Sequence, residues 1–113
     1  MSTRLVVQVT DTAFPRIMEI PLSKRVIFGR SDVDETDFHP DIDLINCNAI
    51  NNGISRRHAA IDIHTDHSYV LYDLDSRNGT FINGMALEPH HPYPIQSGER
   101  IRLGRLKMTI FFE

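Results

Sequence analysis

Apolar residues in this chain recur at every second position, in runs too short for a helix and broken by turn-forming residues. Leu5, Val7 and Val9 form one such run; Ala59, Ile61 and Ile63 form another, followed by Val70, Tyr72 and Leu74. Ile101 and Leu103, then Met108, Ile110 and Phe112, close the chain in the same way. A spacing of two puts such residues on one face of a strand. No stretch of twelve residues combines helical spacing with a capping signal. Asn78-Gly79 and Asn83-Gly84 read as hairpin-type turns, and Asp66-His67-Ser68 separates two strand-like runs. Three of the six prolines fall between Pro89 and Pro94, so that stretch reads as loop rather than central strand. The expectation is an all-β sandwich of two antiparallel sheets.

The 113 residues suffice for one such domain, 1–113, and are too few for two. The chain reads as a free-standing domain or as one cut from a larger protein. The stretch from Ser31 to Ile54, with Asp32, Asp34, Glu35, Asp37, Asp41 and Asp43, reads as long loops around a short strand at Ile42 to Ile45. A formal net charge of −3 argues against a general binder of nucleic acid or anionic membrane. Cys47, the one cysteine, has no internal disulfide partner, which suits a reducing compartment. No apolar run approaches the roughly 18 residues of a membrane span, and Met1 to Thr10 has no signal-peptide core. A cytoplasmic location is therefore expected.

Three loop segments carry the chemistry: Phe28-Gly29-Arg30, Ser55-Arg56-Arg57-His58 and Asp75-Ser76-Arg77-Asn78-Gly79-Thr80. Arginine offers a fixed fork of donors that fits phosphate oxygens. Serine offers a short hydroxyl donor, and glycine lets backbone N–H groups come close. Asparagine can donate to and accept from a peptide backbone. Each segment alone is ordinary: a strand end, a basic strand entry, a hairpin. Their occurrence together and in order is not.

The three segments resemble the signature of the forkhead-associated (FHA) family, Gly-Arg, Ser-x-x-His and Ser-x-Asn-Gly-Thr. The surroundings match as well, at Asp41-Ile42-Asp43-Leu44, Phe81-Ile82-Asn83-Gly84 and Gly98 to Gly104. The resemblance implies a β-sandwich with adjacent termini and a peptide site on the loops at one end. It implies recognition of a phosphothreonine-containing protein, a Ser/Thr kinase or its substrate, with no catalysis and no cofactor. By the same resemblance, Arg30 and Ser55 would hold the phosphate and Asn78 the peptide main chain. Arg56 stands where the family sometimes adds a phosphate contact. Arg77 would reach the phosphate or lie in solvent. Gly29 and Gly79 would shape the loops, with His58 and Thr80 bracing them. The residue three places beyond the phosphothreonine would meet the loop Asn51-Asn52-Gly53-Ile54, which has no charged reader. The acidic stretch, if near the site, would disfavour acidic peptides.

Other readings compete. A hydrolase would need Ser55 and His58 within reach; on a strand their odd spacing sends them to opposite faces, and no Gly-x-Ser-x-Gly turn is present. A metal site is not expected from six histidines without a Cys pair or His-Glu-x-x-His spacing. Arg100, Arg102, Arg105 and Lys107 read as a solvated strand face without the interleaved aromatics of a nucleic-acid binder. The remaining alternative is an FHA scaffold that binds a partner or neighbouring domain without phosphate. Loss of the arginine, serine or asparagine would favour it, and all three are present.

Overall fold

The computed structural model describes residues 3–10, 15–32, 38–65 and 68–113. Eleven strands and one short 3-10 helix are present among them. Sheet A comprises β1 (Thr3–Val9), β2 (Arg16–Leu22), β7 (Thr80–Ile82), β8 (Met85–Ala86), β10 (Glu99–Leu103) and β11 (Leu106–Phe112), in the order β2-β1-β11-β10-β7-β8. Sheet B comprises β3 (Val26–Gly29), β4 (Ile42–Asp43), β5 (Arg57–Thr65), β6 (Ser68–Asp73) and β9 (Tyr93–Ile95), in the order β4-β3-β5-β6-β9. The sandwich expected from the alternating pattern is therefore present. Among the described strands the parallel pair is β3 with β4, where Phe28 stands opposite Ile42.

The two sheets close over a core that includes Leu5, Val7, Phe28, Ile61, Leu71, Ile101, Leu103, Met108 and Ile110, each 2% exposed or less. Burying each such aliphatic or aromatic side chain is worth about 1.5–3 kcal/mol, which is what holds the sheets face to face. Backbone bonds in both directions between Arg4 and Glu113 extend the β1–β11 pairing to the chain ends.

Several local expectations need correction. In β6 the core face is carried by Leu71 and Asp73, not by Val70, Tyr72 and Leu74. Both neighbours of Leu71 are themselves apolar or aromatic, so the alternation there has no unique phase. Ile63, at the far end of β5, is 40% exposed; the register shift between Ile63 and Thr65 lies at the same place. Asn83-Gly84 does form the β7–β8 hairpin, with both residues at positive φ (49° and 85°). Asn78-Gly79 does not form a hairpin: it lies in the crossover from β6 in sheet B to β7 in sheet A. Asp66 and His67 lie outside the described residues. Pro94 sits in β9, the edge strand of sheet B, where a proline removes no ladder bond on its open side.

From Phe38 to Ile54 the acidic stretch is more structured than its composition suggests. After β4, a 3-10 turn over Ile45–Cys47 ends at Asn48 in the left-handed region (φ 57°). Asp41 accepts a bond from the Ile27 N–H at 2.9 Å, and Asp43 accepts from the Ser31 and Ile45 N–H groups at 3.0 and 3.1 Å. Two of the acidic residues are thus fasteners of β3 and its exit. Asp34, Glu35 and Asp37 lie outside the described residues. Cys47 is buried, and burial is the first cause of its raised thiol pKa.

Candidate functional site

Arg30, Ser55, Asn78 and Gly79 meet at one end of the sandwich, on the loops leaving β3, entering β5 and joining β6 to β7. Gly29 makes the first junction possible. A Cβ at Gly29 would lie 1.8 Å from the Arg56 carbonyl oxygen, because a bulge between Phe28 and Gly29 presses the two strands together. The Arg30 N–H then donates to that same carbonyl at 3.2 Å. The guanidinium Nε of Arg30 donates to the Ile54 carbonyl at 2.8 Å. This fixes the plane of the fork while, among the described residues, no partner occupies its two Nη groups.

Ser55 precedes β5 rather than lying in it, which corrects the strand geometry used to separate it from His58. Its backbone N–H donates to Nδ1 of His58 at 3.0 Å. The other ring nitrogen, Nε2, must then carry the proton, and it donates to the Gly79 carbonyl at 2.9 Å. His58 is fully buried, and burial is the largest cause of its pKa falling below the usual histidine value, opposed by the Gly79 bond and by Asp73. A neutral ring with both nitrogens engaged is a brace between two loops; neither nitrogen is available to deprotonate the Ser55 hydroxyl. The Ser55 Oγ instead accepts from the Arg77 N–H at 3.1 Å, leaving its own proton to donate outward.

The third loop is built around a residue the sequence reading did not single out. Asp73 is 2% exposed and its carboxylate accepts from the Thr80 hydroxyl (2.7 Å), the Ser76 hydroxyl (2.5 Å) and the Ser76 N–H (3.2 Å). The Ser76 Oγ accepts in turn from the Gly79 N–H at 3.0 Å. The loop curls around a buried anion, with Asp75 and Gly79 at positive φ. An aspartate in an otherwise apolar run, followed by three hydroxyl or amide residues, was the signal for it. Thr80 is buried and braces the loop through Asp73 rather than facing solvent.

Asn78 lies across Gly53 and donates from Nδ2 to the Gly53 carbonyl at 3.0 Å. A Cβ at Gly53, where φ is 75°, would come within 2.6 Å of that nitrogen. The β10–β11 turn supports both loops: the Arg105 N–H donates to the Asn52 carbonyl at 2.8 Å, and the Gly104 N–H to the Gly79 carbonyl at 2.9 Å. The Arg105 guanidinium also donates to the Asn51 carbonyl. A cation therefore borders the loop before Ser55, supplied from a turn fifty residues away in sequence. The Arg56 guanidinium lies 4.0 Å from the Asp32 carboxylate, so this acidic residue of the stretch sits beside a cation. The Arg77 side chain is exposed.

The arrangement gathers at one end a fixed guanidinium, a hydroxyl with its proton free to donate and an amide, on loops locked by a buried carboxylate and a neutral imidazole. A sequence profile for the FHA domain matches residues 26–104, from the start of β3 to the β10–β11 turn. The chain belongs to the FHA family. FHA domains are interaction modules rather than enzymes. This FHA domain is 36% identical over 94 residues to the protein FraH of Nostoc sp., an alignment covering 83% of this chain and 31% of FraH. The chain thus spans about a third of that relative. Among solved structures, the FHA domain of CT664 from Chlamydia trachomatis superposes with a TM-score of 0.72 at 26% identity, covering 96% of each chain. A structure from a structural and functional analysis of phosphothreonine-dependent FHA domain interactions superposes at 0.68 with 24% identity, covering 98% of this chain and 96% of the other. Among the described residues no helix is long and apolar enough to cross a membrane, and no three His, Cys, Asp or Glu side chains are grouped to hold a metal.

Proposed function

We propose that this FHA domain binds phosphothreonine-containing segments of a partner protein, a Ser/Thr kinase or its substrate, as a reader in kinase signalling. The observation that carries the reading is the state of Arg30. Its Nε is spent on the Ile54 carbonyl, which holds the fork in place, while its two Nη groups have no partner among the described residues. A positioned guanidinium with open donors beside an outward hydroxyl suits a dianionic phosphate better than a carboxylate or a neutral group. Asn78 then meets the peptide main chain beside the phosphothreonine, with its side-chain oxygen and second N–H. Phosphothreonine dependence in a solved neighbour supports the same assignment.

Fluorescence anisotropy with a phosphothreonine peptide library, its unphosphorylated counterpart and its phosphoserine counterpart tests the reading. Saturable binding of the phosphothreonine set alone, displaced by free phosphothreonine, is the expected result. Equal binding of the unphosphorylated set would refute it.

A further inference from the structure

Sheet A carries a charged face that the phosphothreonine reading does not use. Strand alternation brings Arg100 and Arg102 of β10, Lys107 and Thr109 of β11, Gln8 of β1 and Phe81 of β7 to its outer side, because Ile101, Met108, Val7 and Ile82 point into the core. The register makes them neighbours. Arg102 stands directly opposite Lys107 on one side and Phe81 on the other, and Arg100 stands opposite Thr109, itself opposite Gln8. Together they line an open trough of about 730 Å³ in which no lining residue is acidic.

Like charges directly opposite one another weaken a sheet, and Arg102 and Lys107 form such a pair. Among the described residues the ion pairs involve other cations, and none neutralises Arg100, Arg102 or Lys107. The chain as a whole carries a formal charge of −3, so this concentration of positive charge is local to the trough. Arg102 is held rigidly, its guanidinium 3.8 Å from the Phe81 ring centre and donating to the Gly104 carbonyl at 2.7 Å. Arg100 and Lys107 are exposed at the rim.

We infer that this trough on the outer face of sheet A, which borders the loop end at Phe81 and Gly104, is a second docking site for an acidic segment of a partner protein. Carboxylates of the segment pair with Arg100 and Lys107, and the segment lies over the flat plate of Arg102 on Phe81. A polypeptide suits the trough better than a nucleic acid, because the one aromatic face in it is already covered by a guanidinium and no ring is open for base stacking. The inference rests on the charge and register of sheet A, and stands whether or not the loop end reads phosphothreonine.

Titration of the intact chain with a short oligoglutamate peptide at low salt, followed by two-dimensional NMR of the backbone amides, tests it. The expected result is a set of shifts at Gln8, Phe81 and Thr109 that fades as salt screens the pairing. The double variant Arg100→Glu/Lys107→Glu should bind at least about tenfold more weakly, since two exposed pairs become repulsive. Should that variant fail to give a folded spectrum, Arg100→Gln/Lys107→Gln removes the charges with less strain and should show the same loss in part. Shifts confined to the loop end, binding unchanged in a folded variant, or tighter binding of oligothymidylate than of oligoglutamate would each overturn the proposal.

Discussion

Asp73→Asn is the substitution from which the structure predicts most. The asparagine keeps the shape of the side chain and one carbonyl oxygen. That oxygen can still accept from the Thr80 and Ser76 hydroxyls, now as a neutral acceptor. The other position becomes an NH2 group facing the Ser76 N–H, which today donates to Oδ2 at 3.2 Å. One bond to a charged acceptor is lost outright, about 1.5–3 kcal/mol, and two weaken. Two donors are then held face to face at a site where Asp73 is 2% exposed. The expected destabilisation is about 2–4 kcal/mol. With a urea m-value of about 1–3 kcal/mol/M, the unfolding midpoint should fall by roughly 0.7–4 M. Thr80→Val, which removes one of the three donors, should cost less, and the double variant should cost less than the sum because both changes break one network. A midpoint for Asp73→Asn equal to that of the native protein would refute the claim that the loop is organised around this carboxylate.

Gly29→Ala should destabilise by about 4 kcal/mol, at the upper end of single substitutions, because the new methyl meets the Arg56 carbonyl at 1.8 Å; a soluble variant with native thermal stability would contradict it. Gly84→Ala, with φ 85° but open space around it, should cost only about 1–2 kcal/mol in the same thermal comparison. The lowered pKa of His58 makes stability fall in acid. The unfolded chain takes up the His58 proton near pH 6.5, while the folded chain takes it up only at lower pH. Stability is therefore full above about pH 6.5 and is lost as pH falls from there towards the folded value. Urea midpoints measured across this range should decline less steeply in His58→Gln than in the native protein, and parallel slopes would count against the brace. Gly53→Ala should weaken phosphopeptide binding by moving Asn78, and crystallography or NMR of the variant should find the Asn78 amide displaced.

The sandwich was legible because strand alternation is a direct consequence of one buried face, and β1, β5, β10 and β11 each show it. It failed in β6, where both faces carry large side chains and a buried aspartate takes a core position that polarity alone would assign to solvent. β2 was not read from the sequence because its outward residues include the apolar Ile17, 63% exposed, so its pattern lacks contrast. At the site, the order of the three loop segments named Arg30, Ser55 and Asn78. The supports from elsewhere, Asp73 beneath the third loop and Gly104-Arg105 behind Asn51 to Gly53, depend on tertiary contacts that no local pattern encodes. The role of Asn78-Gly79 as a crossover rather than a hairpin has the same origin, since a turn dipeptide does not say whether the next strand joins the same sheet.

Calorimetric titration of one library-selected phosphothreonine peptide into the native domain and into Arg30→Ala tests most directly whether the guanidinium fixed at the loop end reads phosphate. Loss of a charge-assisted bond of about 1.5–3 kcal/mol predicts weakening by roughly tenfold to over a hundredfold, with the unphosphorylated peptide equally poor for both proteins. Equal affinity of the two proteins for the phosphorylated peptide would contradict the account.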